Sequence, residues 1–288
     1  MPHPHDFRQV DVFATGPLTG NPVAVVHDAD DLTDEQMAAF ARWTNLSETT
    51  FLLRPTDRSD GPAADYRLRI WTPGGELPFA GHPTLGTAHA WLEAGGSPRS
   101  AQHVIQECGV GLVTVRRDAD DGADRLAFAA PPLRRSGPVA PEDLAQIARG
   151  LRVSVADIED AAWVDNGPGW VAARLRDAAA VLAVEPDLAA FGGLKIGVVG
   201  SYAPGESDAA VEVRAFVPDI GVAEDPVTGS LNAGLGQWLA GGLLPASYVA
   251  SQGTVLGRRG RVHVRRDTAG DVWVGGAAVT TVAGTVTL

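Results

Sequence analysis

Two stretches of this 288-residue chain repeat a set of residues in the same order. The first, Glu76-Leu77-Pro78-Phe79-Ala80-Gly81-His82-Pro83-Thr84-Leu85-Gly86, runs on through Trp91 to Gly95-Gly96. The second, Glu224-Asp225-Pro226-Val227-Thr228-Gly229-Ser230, runs through Leu231, Gly234, Gly236 and Trp238 to Gly241-Gly242. Glu76 matches Glu224, Pro78 matches Pro226, Gly81 matches Gly229 and Gly86 matches Gly234 at one constant spacing. Trp91-Leu92 matches Trp238-Leu239 one residue closer. Upstream, Arg69-x-Trp71-x-Pro73 parallels Arg214-x-Phe216-x-Pro218; downstream, Val113-x-Val115-Arg116-Arg117 parallels Val262-x-Val264-Arg265-Arg266. So long an ordered set implies a duplicated unit, and two copies are too few for a solenoid. The expectation is two similar lobes facing each other across a pseudo-twofold.

Each stretch reads as a loop feeding a helix that is apolar on most sides, and such a helix belongs in an interior. Pro83 suits a first helical position, where its missing N–H costs nothing, and Gly95-Gly96 suits a C-terminal cap. The start of each helix aims unpaired N–H groups and a positive dipole end inward, so both starts are expected to point into a shared cleft that takes a carboxylate or another anion. Gly81 and Gly229 stand where a side chain would obstruct approach to those N–H groups. Gly86, Gly234 and Gly236 lie within the helices and are better explained by close packing.

Composition narrows the function. With 45% apolar residues, each lobe can bury a core of its own. The net charge of −12, with no basic run, argues against nucleic acid as a partner. An anionic substrate would then depend on local N–H groups. The one cysteine, Cys108, allows no intramolecular disulfide and no cysteine-based metal cage. No signal peptide and no stretch fit to span a bilayer is visible, so no membrane partner and a cytoplasmic location are expected.

Strands are predicted at Phe7–Phe13, Val23–Val26, Leu46–Leu53, Tyr66–Trp71, His103–Gln106 and Gly111–Arg116, with a helix from Asp34 to Trp43 capped by Thr33. An acidic loop follows at Asp118–Asp124. The second half offers a helix from Pro141 to Arg149 and strands at Ala161–Val164, Trp170–Ala173, Ile196–Gly200, Val211–Val217, Thr254–Leu256, Arg261–Arg265, Val272–Gly275 and Val279–Val286. Many strands with few long helices make an α+β fold of largely antiparallel sheets, each curved around one central helix. The lobes are placed at residues 1–125 and 126–288, with the last strand free to cross back to the first lobe.

Glu48 is the most unusual residue. It sits at the edge of an apolar strand, where partial burial raises a carboxyl pKa toward that of a useful proton shuttle; the alternative is a solvent-facing glutamate at a strand start. His82 begins the first central helix, whose positive end favours a neutral imidazole; the alternative is a cap on backbone amides. Asp225 and Ser230 flank the start of the second helix, and each either caps it or meets a substrate. His3, His5, His27, His89, His103 and His263 show no metal-ligand spacing, so no metal site is expected. Dinucleotide, Walker and nucleophile-elbow motifs are missing from the sequence, which argues against nucleotide binding and serine hydrolysis.

Asp11-Val12-Phe13, Gly20-Asn21-Pro22-x-Ala24-Val25-Val26, Ser47-Glu48-Thr49-x-Phe51, Glu76 to Thr84 and Asp225-Pro226-Val227-Thr228-Gly229-Ser230, in this order, resemble the PhzF-like phenazine-biosynthesis family. The resemblance covers nearly the whole chain. It implies the diaminopimelate-epimerase fold, homodimers, and no cofactor. It implies that Glu48 is the acid/base group, that His82, Asp225 and Ser230 line the cleft, and that Ser47, Gly81 and Gly229 lie near a small anionic carboxylate or amino-carboxylate substrate. The implied reaction is an isomerisation in which Glu48 takes a proton from carbon and returns it elsewhere on the same conjugated system. Epimerases of this fold use two cysteines, at the positions of Ala80 and Thr228 here, so two-thiol racemisation is excluded. A lyase or dehydratase in the same cleft, and a carboxylate-binding protein without catalysis, are the alternatives.

Overall fold

The computed structural model describes residues 2–56, 64–118, 125–218 and 222–288. The chain divides into two compact units, one of Met1–Phe128 with Gly275–Leu288 and one of Ala129–Val274.

In the first unit, β1 (Pro4–Val12), β2 (Asn21–Val26), α1 (Asp34–Thr44), β3 (Thr49–Leu53), β4 (Tyr66–Thr72), β5 (Gly75–Leu77), α2 (Gly81–Glu93), β6 (His103–Cys108), β7 (Gly111–Asp118) and β8 (Arg125–Ala129) follow in order. Hydrogen bonding joins β1–β2–β3–β4–β6–β7–β8, with β5 folded back on β4. The β2–β3 and β4–β6 pairs are parallel and the others antiparallel. The second unit contains β9 (Arg135–Pro138), α3 (Pro141–Leu151), β10 (Ile158–Asp165), β11 (Trp170–Leu175), α4 (Ala178–Leu182), β12 (Lys195–Ser201), β13 (Val211–Val217), β14 (Val222–Asp225), α5 (Gly229–Leu239), β15 (Ser247–Gln252), β16 (Gly260–Arg266) and β17 (Val272–Gly276). Its order is β9–β10–β11–β12–β13–β15–β16, with β14 on β13, and β11–β12 and β13–β15 are the parallel pairs. The last strand, β18 (Ala278–Thr287), pairs antiparallel with β1. It therefore takes in the first unit the place that β9 takes beside β10 in the second. The duplication read from the sequence is thus a duplicated strand order.

Each sheet curves around one helix. α2 packs on β1, β2, β3, β6, β7 and β18, and α5 packs on β10, β11 and β16. Both helices are buried over most of their length because they carry few polar residues and several glycines. Gly86 approaches Val23 and Val12, and Gly234 approaches the Val164 carbonyl, too closely for a side chain. The opposite sheet face of the first unit is covered by α1, whose Met37, Phe40 and Ala41 pack with Val26, Phe51, Leu53 and Trp71. Thr33 and Gln36 close a capping box at its start, and Asn45 ends it in the left-handed conformation.

Several local expectations are corrected. Pro83 is the third residue of α2, because the helix already begins at Gly81. The other end is as read: Gly95 N–H donates to the Leu92 carbonyl and Gly96 N–H to the Trp91 carbonyl, a Schellman cap. α5 has no matching cap, since Ala240 turns extended and bridges to Leu244. Thr254–Leu256 is a short 3-10 turn rather than a strand; the strand there is Ser247–Gln252. Thr49, not Leu46, opens β3. Most of the expected acidic loop, residues 119–124, lies outside the described residues.

Candidate active site

The first group of polar residues gathers where α2 begins. Glu48 lies just before β3, a strand on which α2 packs. Its carboxylate Oε2 is 3.5 Å from His82 Nε2, with side-chain exposures of 16% for Glu48 and 6% for His82. Burial pushes the Glu48 carboxyl up to about 7, and the Ser47 hydroxyl beside it pulls the other way. Among the described residues, no hydrogen-bond partner of ordinary geometry reaches the buried Oε2.

His82 is fixed by Asn21. Asn21 is 1% exposed at the first position of β2, and its Nδ2 lies 3.5 Å from His82 Nδ1. An amide nitrogen only donates, so Nδ1 is the accepting nitrogen and the ring proton sits on Nε2, facing Glu48. Asn21 is held in turn by the preceding loop. Buried Asp11 accepts the Thr19 and Gly20 N–H groups at 2.7 and 2.9 Å through Oδ2. Gly20 is obligatory there, since a Cβ would lie 2.1 Å from the Val12 carbonyl oxygen.

The N-cap of α2 is Ala80, which supplies no side-chain acceptor. His82 lies inside the helix, so it does not cap it. Gly81 has a reason beyond access to N–H groups: a Cβ would stand 2.5 Å from Cζ of Phe128. Ser47, Glu48, Gly81 and His82 are therefore brought together within the first unit.

The second group surrounds the start of α5 in the second unit. Thr228, the N-cap, donates its hydroxyl to Asp225 Oδ2 at 2.6 Å. Ser230 lies inside the helix and does not cap it; its hydroxyl accepts from Trp170 Nε1 at 2.9 Å and its carbonyl from Asn166 Nδ2 at 2.8 Å. Gln252, fully buried at the end of β15, makes four hydrogen bonds. Its Oε1 accepts from Thr228 N–H at 3.0 Å and Asn232 Nδ2 at 2.9 Å, while its Nε2 donates to Thr228 Oγ1 at 2.9 Å and the Asp225 carbonyl at 3.1 Å. The first unit has a counterpart: buried Gln106 on β6 donates to Thr84 Oγ1 at 3.1 Å on α2.

Sequence reasoning did not single out Asn21, Gln252, Asn166 or Trp170. Asn21 stood within a quoted Gly-Asn-Pro motif but read as part of a turn. Gln252 fell between the elements because its strand was displaced. Ala80 and Thr228, where two thiols would be needed for racemisation, are the N-caps of α2 and α5. Cys108 ends β6, and burial raises its thiol pKa.

A family model described as "Phenazine biosynthesis-like protein" matches residues 10–284. The chain is 35% identical to antisense-enhancing sequence 1 of Schizosaccharomyces pombe, over 97% of this chain and 98% of that protein. It is 36% identical to trans-2,3-dihydro-3-hydroxyanthranilate isomerase of Pseudomonas aeruginosa, over 93% of this chain and 92% of that protein. The crystal structure of a phenazine biosynthesis protein from Enterococcus faecalis superposes with a TM-score of 0.80 at 25% identity, covering 99% of this chain and all of that one.

Proposed function

The chain belongs to the PhzC-PhzF family of phenazine biosynthesis-like proteins, and we propose that it is an isomerase that moves a proton on a small carboxylate-bearing substrate with Glu48 as the acid/base group. Relatives spanning most of its length are named isomerases, which supports the class. The observation that carries the mechanism is the buried Glu48 carboxylate, its pKa pushed up to about 7, standing 3.5 Å from His82. A group with that pKa is well populated in both protonation states near neutral pH, so it can take a proton and give it back.

In the proposed cycle, ionised Glu48 removes a proton from a carbon next to a conjugated system. The electron pair left behind delocalises, and protonated Glu48 returns a proton at another carbon of that system. No group leaves and nothing is oxidised, so no cofactor is required. His82, with its proton on Nε2, steadies the carboxylate while it is ionised. Ser47 and Gly81 are proposed to meet the substrate beside it. Asp225, Gly229 and Ser230 are proposed as further participants, Asp225 in catalysis and the other two in binding.

A dihydroaromatic amino-carboxylate, the class named by the Pseudomonas aeruginosa relative, is the first substrate to assay. Turnover in deuterated water should place deuterium on a ring carbon without change of composition. Glu48→Gln should lower kcat by roughly 10²- to 10⁴-fold, the usual contribution of general acid/base catalysis, with the fold intact. Turnover by that variant at the wild-type rate would overturn the mechanism. A product lighter by one water would instead make the enzyme a lyase.

A further inference from the structure

We infer that His3, His5 and Asp31 form a binding site for a transition-metal dication of the zinc type, remote in the chain from the Glu48 and His82 pair. One donor atom from each of the three lies within 4.8 Å of the other two. His3 immediately precedes β1 and His5 lies within it, and residues two apart on an extended chain project to the same side. The backbone of His3 is held in place by hydrogen bonds in both directions with Leu288. Asp31 comes from the loop between β2 and α1, which explains why the spacing of the histidines alone gave no sign of a site.

Three features fit a metal, and the second distinguishes it from a simple surface contact. First, His3 Nε2 and Asp31 Oδ2 are 3.2 Å apart. Two ligands each about 2.0–2.1 Å from a tetrahedral zinc ion are about 3.3 Å from one another. An imidazole N–H donated to the carboxylate gives the same separation, so the distance fits a metal and the next two features argue for one. Second, His5 is 3% exposed, and its Nδ1 contacts the His27 carbonyl oxygen at 3.3 Å. A carbonyl only accepts, so Nδ1 carries the ring proton and Nε2 keeps a lone pair, which is how a backbone carbonyl orients a metal-binding histidine. That Nε2 is buried and has no hydrogen-bond partner among the described residues. Third, His3 and Asp31 are half exposed, at 50% and 52%, which gives an ion a path in and leaves room for water as a further ligand. The neighbouring Asp30 is already committed to the Arg54 backbone N–H and guanidinium.

Two imidazoles and one carboxylate suit zinc, nickel or copper better than calcium or magnesium, which prefer all-oxygen sites. The site would clasp the start of β1 to the β2–α1 loop, a structural role separate from turnover.

The test is titration of the untagged, metal-stripped full chain with Zn²⁺ by calorimetry, and with Co²⁺ by visible absorption. One equivalent should bind, the Co²⁺ spectrum should show a nitrogen- and oxygen-ligated site, and the melting temperature should rise with Zn²⁺ concentration. His3→Ala and Asp31→Ala change exposed side chains and should each weaken binding by more than the roughly 10- to 100-fold that loss of a supporting hydrogen bond costs. His5→Ala should do the same; if it fails to fold, the two exposed variants decide the matter. Metal removal should leave turnover unchanged. Absence of saturable binding, or equal affinity in the His3→Ala/Asp31→Ala double variant, would overturn the site and leave an ordinary ion pair.

Discussion

Arg214 and Glu224 meet through two parallel hydrogen bonds, Nε to Oε1 at 2.9 Å and Nη2 to Oε2 at 2.8 Å. Arg69 and Glu76, their counterparts in the first unit, make the same fork at 2.7 Å on both sides. Each arginine also lies over an aromatic ring two residues on, Trp71 at 5.3 Å and Phe216 at 4.9 Å. The duplicated sequence thus encodes a duplicated interaction that pins the short strand before each central helix. Burial separates the two copies. Side-chain exposure is 3% and 10% for Arg214 and Glu224, against 23% and 39% for Arg69 and Glu76.

That difference sets the first prediction. Glu224→Ala leaves a guanidinium buried without its carboxylate and should destabilise the protein by about 3–5 kcal/mol. Glu76→Ala should cost about 1 kcal/mol, because Arg69 is more exposed and keeps Asp34 as a partner. Denaturant midpoints of the two variants compared with wild type check the order, and equal losses would contradict it.

The raised Glu48 carboxyl predicts a pH dependence of stability. The folded state binds this proton up to about pH 7, whereas an unfolded glutamate releases it near its ordinary value of 4.5. Between those values the folded state holds more protons, so stability contributed by protonated Glu48 is present at low pH and lost as pH rises through 7. Glu48→Gln removes this dependence. The variant should match wild type near pH 4.5 and exceed it above pH 7, by up to about 3 kcal/mol on the conversion of one pKa unit to 1.36 kcal/mol. Thermal denaturation at a series of pH values is the measurement; parallel curves would mean the carboxyl is not perturbed.

The proposed mechanism also predicts a pH dependence of the rate. To act as the base in it, Glu48 must be ionised, so kcat/KM should rise with pH on a limb with an apparent pKa near 7. Asn21→Ala should shift that limb by freeing the His82 tautomer, an effect that plain loss of stability would not produce.

Gly81 is predicted to be intolerant for a packing reason. Gly81→Ala places a methyl 2.5 Å from the Phe128 ring, and overpacking of this kind costs about 1–3 kcal/mol. Adding Phe128→Leu should recover part of the loss, as read from melting temperatures.

Gln252→Leu keeps volume but strips the Thr228 N–H, the Thr228 hydroxyl and Asn232 of one partner each. Each unpaired buried group costs about 1–3 kcal/mol, so the variant should melt well below wild type. Its kcat should also fall, because the Thr228 hydroxyl that points at Asp225 is no longer held.

Much of the fold was legible because it is written twice. The repeated Pro, Gly and Trp positions located both central helices, and the α+β class with the diaminopimelate-epimerase-like architecture agrees with that of the Enterococcus faecalis protein. What escaped were elements without a pattern. β5 and β14 are too short to alternate, and Ser247–Gln252 mixes small polar residues with valine and alanine, so its strand was placed a few residues late. In the first unit's site, Glu48 and His82 were legible as residue types out of keeping with their surroundings. Asn21 was not, since an asparagine beside a proline has a sufficient local explanation as a turn residue. The buried polar groups around Thr228 were hidden for another reason: their partners lie up to 64 residues away in the chain, and only the fold brings Trp170, Asn166 and Gln252 to the start of α5.

The pairing of β18 with β1 bears on biosynthesis. Residues 4–12 leave the ribosome well before their partners, 278–287. Until then the outer edge of β1 has its N–H and C=O groups facing water, a surface open to any passing strand. β1 therefore waits for β18, and closing so long a loop makes this pairing a slow step in maturation. Trimming those closing residues should leave a nascent product that depends on chaperones and aggregates when they are scarce.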